Sequence, residues 1–339
     1  MTNNQQLRDE FWHLLCHRTE LPEPGHYLKL NWLDQEVSLF NDGGEIVVFD
    51  NLCPHRGTRF FVESHGVGAI SCPYHGWSYQ AGAMHVPCRE KYEETELKNA
   101  RLNILKSEWC ADFLFVSVSP KLSLEEQLGP EFEHIASISF NISGRSDIDT
   151  YAYECNWKIA IENALEPLHV SYIHPNSLGQ LDLADGKNEI NPWTSVWYSP
   201  IENAGINKKL RAINKLFKID EQYEGYMSIY MFPFTMLSST FGYSYSLQNF
   251  FPSAEKNRTF FFSRLLKGVA KNEAAANALQ HFFESSAAMN RQVFKEDHEI
   301  CKRINPDFYE ADRPKFLAAD EEKVLHFRKL LADQVRAGD

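Results

Sequence analysis

The sequence predicts an α+β protein of two domains, an antiparallel β domain followed by a larger domain in which a sheet packs on one long helix. Three observations lead to this prediction. The chain has 339 residues, more than one average domain needs and enough for two of moderate size. Short apolar segments alternate with turn residues through the first third. Near the C-terminus, residues 274–303 carry the amphipathic pattern of a single helix.

The first domain is predicted at residues 10–120. Residues 11–15 predict a short helix, which a Pro- and Gly-containing stretch ends at 21–25. Strands follow at 26–30, 37–40 and 46–49, and Asn-Asp-Gly-Gly at 41–44 is a strong hairpin signal. A further hairpin is predicted at 79–84, and strands at 101–105 and 113–117 complete the domain. Residues 122–134 predict a partly helical link to the second domain, residues 121–339.

Two loops of this domain carry metal-ligand residue types. One loop reads Cys53-Pro-His55-Arg-Gly and the other reads Cys72-Pro-Tyr-His75-Gly-Trp. A structural zinc site usually pairs its cysteines and then its histidines, often with the histidines on a helix. Here each loop supplies one of each, which suits a [2Fe–2S] cluster with two thiolates on one iron and two imidazoles on the other.

These loops resemble the Rieske motif in its oxygenase form. Respiratory Rieske proteins have one more cysteine in each loop, but the corresponding residues here are Thr58 and Tyr74, so no bridging disulfide can form. The resemblance implies a [2Fe–2S] cluster bound by residues 53, 55, 72 and 75.

A second group of candidate ligands lies in residues 151–179. The apolar pattern predicts a helix from Trp157, with a kink at Pro167. His169 and His174 lie five residues apart, so an unbroken helix would point them in different directions. A helix that bends or ends here could bring both imidazoles to one metal. Two histidines and one carboxylate form the facial triad of a non-haem Fe(II) oxygenase.

The segment resembles the iron-binding segment of Rieske oxygenase α subunits, which implies that His169 and His174 bind Fe(II). Glu166 stands where that family has a carboxylate bridging two metal centres, between His169 and the cluster histidine His75 of an adjoining subunit. This arrangement implies a homotrimer. Glu166 and Asn163 are assigned as catalytic residues, and Leu168 replaces a common Tyr.

The third iron ligand is predicted on the C-terminal helix. An acidic residue precedes an Ile-Cys pair in the family, and the matching residue is Asp297. Glu296 and Glu299 are the competing carboxylates. The resemblance also implies a helix-grip fold of the START/Bet v 1 type for this domain, in which a curved sheet wraps the helix around a cavity. Residues 206–222 are interpreted as a flexible lid, and the tail from residue 320 as a charged helix packing on a neighbour.

Charge and composition limit the partners. The net charge of −12 argues against nucleic-acid binding, and no apolar run is long enough to span a membrane. The N-terminus has no apolar signal segment, and five scattered cysteines remain, which together predict a cytoplasmic protein. The abundance of Phe, Tyr and Trp between residues 193 and 266 favours an apolar or aromatic substrate, with a small amine as the competing class.

The resemblance implies the oxygenase component of a multicomponent enzyme. No flavin or nicotinamide motif is present, so electrons would come from NAD(P)H through a separate reductase or ferredoxin. With O2, the enzyme would hydroxylate or demethylate a small organic substrate. The alternative is a Rieske electron carrier whose second domain only binds a partner.

Overall fold

The computed structural model describes residues 3–33, 35–220, 223–311, 316–318 and 321–338. The first third contains, in order, α1 (Asn3–Glu10), β1 (His13–His17), β2 (His26–Trp32), β3 (Gln35–Asp42), β4 (Glu45–Asp50), β5 (His65–Val67), β6 (Ser78–Gln80), β7 (Ala83–His85), α2 (Glu94–Leu97), β8 (Lys106–Cys110) and β9 (Phe113–Ser117).

The rest of the chain carries the long helix and the large sheet. Its elements are α3 (Leu124–Leu128), α4 (Glu131–Phe140), β10 (Ile142–Tyr153), α5 (Trp157–Leu165), α6 (Val170–Ile173), β11 (Lys187–Ile190), β12 (Thr194–Ser199), α7 (Ala204–Ile213), β13 (Tyr226–Met231), β14 (Thr235–Thr240), β15 (Ser244–Pro252), β16 (Thr259–Gly268), α8 (Glu273–Cys301), α9 (Pro306–Glu310) and α10 (Glu322–Gly338).

Small antiparallel sheets build the first region. Strands β4-β3-β2-β5 form one sheet, β1-β9-β8 a second, and β6-β7 a hairpin. The predicted hairpin at 41–44 is confirmed, because β3 and β4 pair up to Asp42 and Glu45 around Gly43 and Gly44, which both have positive φ.

Two elements of this region differ from the prediction. The helix occupies Asn3–Glu10, and residues 13–17 form a strand that is buried along its whole length and pairs with β9. A short apolar run does not distinguish a helix from a buried strand, which explains the error. The strand predicted at 101–105 is also wrong. Only Ile104 forms an isolated bridge, to Phe49, and the strand starts at Lys106.

The second region is one antiparallel sheet against helices. Its order is β10-β16-β15-β14-β13-β12-β11, and α8 packs across β10, β16 and β15. This is the predicted sheet around a long C-terminal helix, and the α+β class is confirmed. Asn272 caps the start of α8 by accepting from the N–H of Ala275.

The last helix was predicted as a tail packing on a neighbour, but it packs on its own chain. Val324, Phe327, Leu330 and Leu331 of α10 are buried in the main core. Arg328 also donates two hydrogen bonds to the Glu162 carboxylate of α5, at 2.7 and 2.6 Å. Residue 320, where the predicted tail began, lies outside the described residues.

The segment predicted as a flexible lid contains a regular helix, α7. Its Ile206 and Leu210 line a cavity under the sheet. Residues 221 and 222 of the predicted lid lie outside the described residues. Among the described residues, no helix is long and apolar enough to cross a membrane.

Candidate metal centres

The two Cys-His loops have the same backbone construction. In each, the glycine N–H donates to the cysteine carbonyl, Gly57 to Cys53 at 2.8 Å and Gly76 to Cys72 at 3.0 Å. Both glycines have positive φ, 67° and 73°, which a residue with a side chain rarely adopts. The four predicted ligands therefore lie on two matching turns.

The ligand side chains of these turns converge. Cys53 and Cys72 are 2% and 3% exposed and contact each other through their thiols. The His55 and His75 ring centroids are 4.8 Å apart. His55 Nδ1 is buried without a hydrogen-bond partner, as expected of a nitrogen that binds a metal. His75 lies at the surface.

The environment of Cys72 favours a thiolate. Burial alone would raise its pKa, but the N–H groups of Tyr74 and His75 and the hydroxyl of Thr58 lower the pKa below the ordinary value. Two buried thiols and two imidazoles on facing turns fit a [2Fe–2S] cluster with mixed ligands.

The second centre forms where α5 ends. Glu166 is extended (φ −100°, ψ 136°) because Pro167 follows it, so the helix stops at Leu165 rather than continuing with the predicted kink. His169 and His174 then flank the single turn of α6. Because the helix is broken here, the two imidazole rings need not point in different directions around one helix axis.

Asp297 of α8 completes the group. Its Oδ1 is 3.0 Å from His174 Nε2 and 3.5 Å from His169 Nε2. Among the described residues, this is the one set of three or more His, Cys, Asp or Glu side chains close enough to share an ion, with ligand atoms within 4.8 Å of one another. Two imidazoles and one carboxylate fit the ligand set of a non-haem iron site.

Carboxylates orient both imidazoles. His169 Nδ1 is 2.6 Å from Glu166 Oε1, and His174 Nδ1 is 2.7 Å from Glu296 Oε2. A donated Nδ1–H leaves each Nε2 lone pair directed at the site, the usual outer arrangement of metal-binding histidines. Asn163 donates to Asp297 Oδ1 at 2.8 Å.

The two competing carboxylates of α8 lie elsewhere. Glu296 contacts His174 through Nδ1, on the far side of the ring from Asp297, and also accepts from Ser177 and Gln292. Glu299 pairs with Lys302 at 2.6 Å. Asp297 is therefore the α8 carboxylate beside both Nε2 atoms.

The protonation of this group follows from its contacts. Burial would raise the pKa of Asp297, but hydrogen bonds from His169 and His174 lower the pKa to about 2. Burial would lower the pKa of His169, but Asp297 and Glu166 raise it to about 10. A divalent ion would displace the extra proton, because a ligating imidazole must be neutral.

Two neighbouring cavities lie beside the group. The first, about 60 Å³, is lined by all three side chains. The second, about 280 Å³, lies between α8 and the sheet. Five residues line both cavities: Leu178, Tyr226, Gln248, Val293 and Phe294.

A few aromatic residues of the middle region line these cavities, among them Trp197 and Tyr226. The aromatic residues of the middle region are mostly core, such as Tyr230, Phe234 and Phe251 at 0% exposure. The larger cavity is lined by apolar side chains of α7, α8 and the sheet together with a set of hydroxyl groups: Ser177, Ser238, Ser239, Thr240, Ser244, Ser246, Ser285 and Ser286.

Sequence reasoning missed two features of the site. It did not predict the contact between Glu296 and His174, although an acidic residue beside a predicted ligand was a signal. It also missed Lys323 of α10, which lines the first cavity. No local pattern could have indicated this lysine, because it reaches the site through the packing of α10 against Ser228, 95 residues earlier in the chain.

Comparisons with known proteins agree with this construction. Residues 11–100 match the Rieske [2Fe–2S] domain, and residues 142–337 match the catalytic domain of ring hydroxylating alpha subunits. The fold and its two centres define an alpha subunit that combines a Rieske domain with a mononuclear iron domain. The chain belongs to the ring hydroxylating alpha subunit family.

Individual relatives are distant. The glycine betaine monooxygenase oxygenase subunit of Chromohalobacter salexigens is 28% identical over 189 residues, 52% of this chain and 41% of that protein. The carnitine monooxygenase oxygenase subunit of Acinetobacter pittii is 24% identical over 220 residues, 62% of this chain and 56% of that protein. The chain thus spans about half the length of these curated relatives.

A solved quaternary ammonium Rieske monooxygenase has a TM-score of 0.76 at 17% identity and covers 98% of this chain and 91% of its own. At this identity the likeness establishes the fold.

Proposed function

We propose that this protein is the oxygenase component of a multicomponent Rieske oxygenase. It would use O2, and electrons from a separate NAD(P)H reductase or ferredoxin, to hydroxylate or oxidatively demethylate a small organic substrate. The observation that carries the proposal is the His169, His174 and Asp297 group at the wall of a cavity. An electron carrier needs no such group beside a cavity.

Each residue has a proposed role. Cys53, His55, Cys72 and His75 hold the [2Fe–2S] cluster, and His169, His174 and Asp297 hold Fe(II). When bound, the two groups supply electron storage and activation of O2.

The surrounding residues position these ligands. Glu166 and Glu296 accept the Nδ1–H protons of His169 and His174, which keeps both Nε2 atoms on the metal side. Asn163 steadies Asp297 by donating to the oxygen that faces the histidines. The sheet and α8 supply the walls against which a substrate would bind.

The proposed assembly is a homotrimer in which Glu166 meets His75 of the adjoining subunit. Exposed apolar side chains support this interface on both sides. Tyr172 (86% exposed) and Phe316 (96%) lie on the iron-domain side, and Phe316 shares a surface groove with Glu166. Tyr74 (59%) lies beside His75 on the cluster side. Such patches are typical of interaction surfaces.

The domain boundaries we propose remain residues 10–120 for the cluster domain and 121–339 for the iron domain. A cytoplasmic location is also proposed. All seven cysteines are free thiols in the structure, which suits a reducing compartment.

The experiment that tests the function combines the loaded protein, a compatible reductase, NAD(P)H and O2 with aromatic substrates and with small amines. We expect O2 uptake and a product that contains one or two added oxygen atoms, or one that lacks a methyl group, for at least one class. His169→Ala should abolish the product while leaving reduction of the cluster intact. Product formation that survives His169→Ala would contradict the assigned iron site, whereas a wild type that holds two irons per chain and forms no product would favour the electron-carrier alternative.

A further inference from the structure

The cavity beside the metal ligands contains one buried amine that the proposed chemistry does not use. Lys323 of α10 is 2% exposed and lines the same cavity as His169, His174 and Asp297. Its Nζ is 3.2 Å from Ser228 Oγ and 3.5 Å from the Ser228 carbonyl oxygen. The second distance is at the limit of a hydrogen bond.

The ammonium group of Lys323 is poorly satisfied by these contacts. An ammonium has three N–H donors, and both contacts come from the single residue Ser228. No carboxylate of the described chain lies within 4 Å of Nζ, whereas other lysines, such as Lys121 and Lys256, form ion pairs. Burial without a counter-ion lowers the pKa of Lys323 to about 7.

The two acidic side chains that line the same cavity have other partners. Asp297 is bound by both histidines and by Asn163, and Glu166 is bound by His169. Fe(II) beside Asp297 and two neutral imidazoles would carry one positive charge, which the outer carboxylates of Glu166 and Glu296 offset. The Lys323 ammonium is thus the cation of this cavity that lacks a carboxylate partner among the described residues, and it would attract an anion.

A row of hydroxyl groups continues from Lys323 along the cavity. Ser228 pairs with Ser238 across β13 and β14, and Ser238 pairs with Ser246 across β14 and β15. Directly paired residues face the same side of a sheet. Ser228 lines the first cavity, and Ser238 and Ser246 line the second. This row provides hydrogen-bonding groups along the length of a bound molecule.

We propose that Lys323 is the anchor for a carboxylate of the substrate, so that the enzyme acts on a small organic acid. The Lys323 ammonium and the Ser228 hydroxyl bind the carboxylate oxygens. The remainder of the acid lies along the serine row, between the sheet and the apolar side chains of Val293 and Phe294. This inference rests on the proposed function, because it assigns the substrate class of that same site.

The test measures binding rather than turnover. Iron-loaded protein is titrated in a calorimeter with benzoate and with straight-chain carboxylates from acetate to decanoate. Each acid is compared with its primary amide, which has a similar shape but no charge. We expect at least one acid to bind about tenfold or more tightly than its amide, because hydrogen bonds to charged groups are the stronger ones.

Variants then assign the preference to one residue. Lys323→Met keeps the volume of the side chain and removes the charge, and should abolish the preference for the acid. Lys323→Arg should retain part of it. Lys187→Met, which removes an exposed lysine of β11, should bind like the wild type. If no acid binds more tightly than its amide, or if the preference survives in Lys323→Met, the anion site is refuted.

The wild-type comparison of acid with amide needs no variant, so it can refute the anion site even if Lys323→Met folds poorly, and Lys323→Arg then tests the residue. The same preparations test the proposed function separately, through iron content and the Rieske electron paramagnetic signal. Protein that carries both metal centres but does not distinguish acids from amides refutes the anion site alone. Protein that cannot hold the mononuclear iron refutes the oxygenase function.

Discussion

Hydrogen bonds between carboxylates and imidazoles determine the geometry of the proposed iron site at the scale of single residues. Glu166 and Glu296 contact the Nδ1 atoms of His169 and His174, and Asp297 faces both Nε2 atoms. Each imidazole is thus held from both sides. The loss of one outer carboxylate should weaken metal binding without unfolding the domain, because the buried core does not depend on it.

We predict that Glu296→Gln lowers the affinity for the mononuclear iron by about 10- to 100-fold, the usual effect of removing an outer partner of a ligating histidine. The neutral amide makes His174 a weaker base and a weaker ligand. Iron retained during dialysis against graded chelator measures the change. Glu299 lies on the same helix but pairs with Lys302 rather than with a histidine. The variant Glu299→Gln therefore serves as the control. Equal retention in both variants would show that Glu296 does not support His174.

We also predict a pH dependence of stability that comes from Lys323. Its pKa is lowered from 10.5 to about 7 in the folded protein, so between these values the unfolded chain binds more protons. The free energy of unfolding should therefore rise with pH across this window, relative to Lys323→Met. Denaturant unfolding of both proteins at pH 6.5 and 9.5 measures the difference. If the free energy of unfolding changes equally with pH in both proteins, Lys323 is not a buried amine without a counter-ion.

At the scale of elements, the break between α5 and α6 is what turns two distant ligands into a site. Pro167 ends α5, and the following turn is closed by Gly179, whose N–H donates to the His174 carbonyl at 2.9 Å. A Cβ at Gly179 would lie 2.6 Å from that oxygen. The backbone of His174 therefore has its position only because residue 179 has no side chain.

We expect Gly179→Ala to displace His174 and to reduce the occupancy of the mononuclear iron, while the cluster remains intact. Iron and sulfide analysis together with the Rieske signal would separate the two centres. Gly144→Ala in β10 is the matched control, since its nearest neighbour is the flexible end of Lys267 at 3.5 Å. Full iron occupancy in Gly179→Ala would mean that the turn adjusts without moving the ligand.

At the scale of the whole molecule, the chain presents one cluster face and one iron-domain face, each with exposed apolar side chains. A face that binds a different face on the next copy generates a ring when the rotation closes. This geometry fits the proposed trimer.

We predict a particle of three times 39.2 kDa by light scattering after size-exclusion chromatography. Tyr172→Glu combined with Phe316→Glu should dissociate it, because both side chains are exposed in the single chain. Phe140→Glu, which changes an exposed Phe at the end of α4, should remain trimeric. If the wild type is a monomer, the proposed electron transfer between the cluster of one subunit and the iron of the adjoining subunit cannot occur.

The sequence was most informative where the chemistry requires particular residue types at short spacing. The two Cys-His loops and the pair His169 and His174 could be selected for that reason. The apolar run at 11–15 was ambiguous, since helices and buried strands share such runs. The roles of Lys323 and of the serine row depend on how α10 and three strands pack together, and no local pattern records that packing.

The most direct measurement is the metal and sulfide content of protein reconstituted without oxygen, for the wild type and for Asp297→Asn. We expect three irons and two sulfides per wild-type chain, and two irons and two sulfides for Asp297→Asn, with the reduced Rieske signal in both. A wild-type chain that holds only two irons, or an Asp297→Asn chain that retains the third, would contradict this expectation.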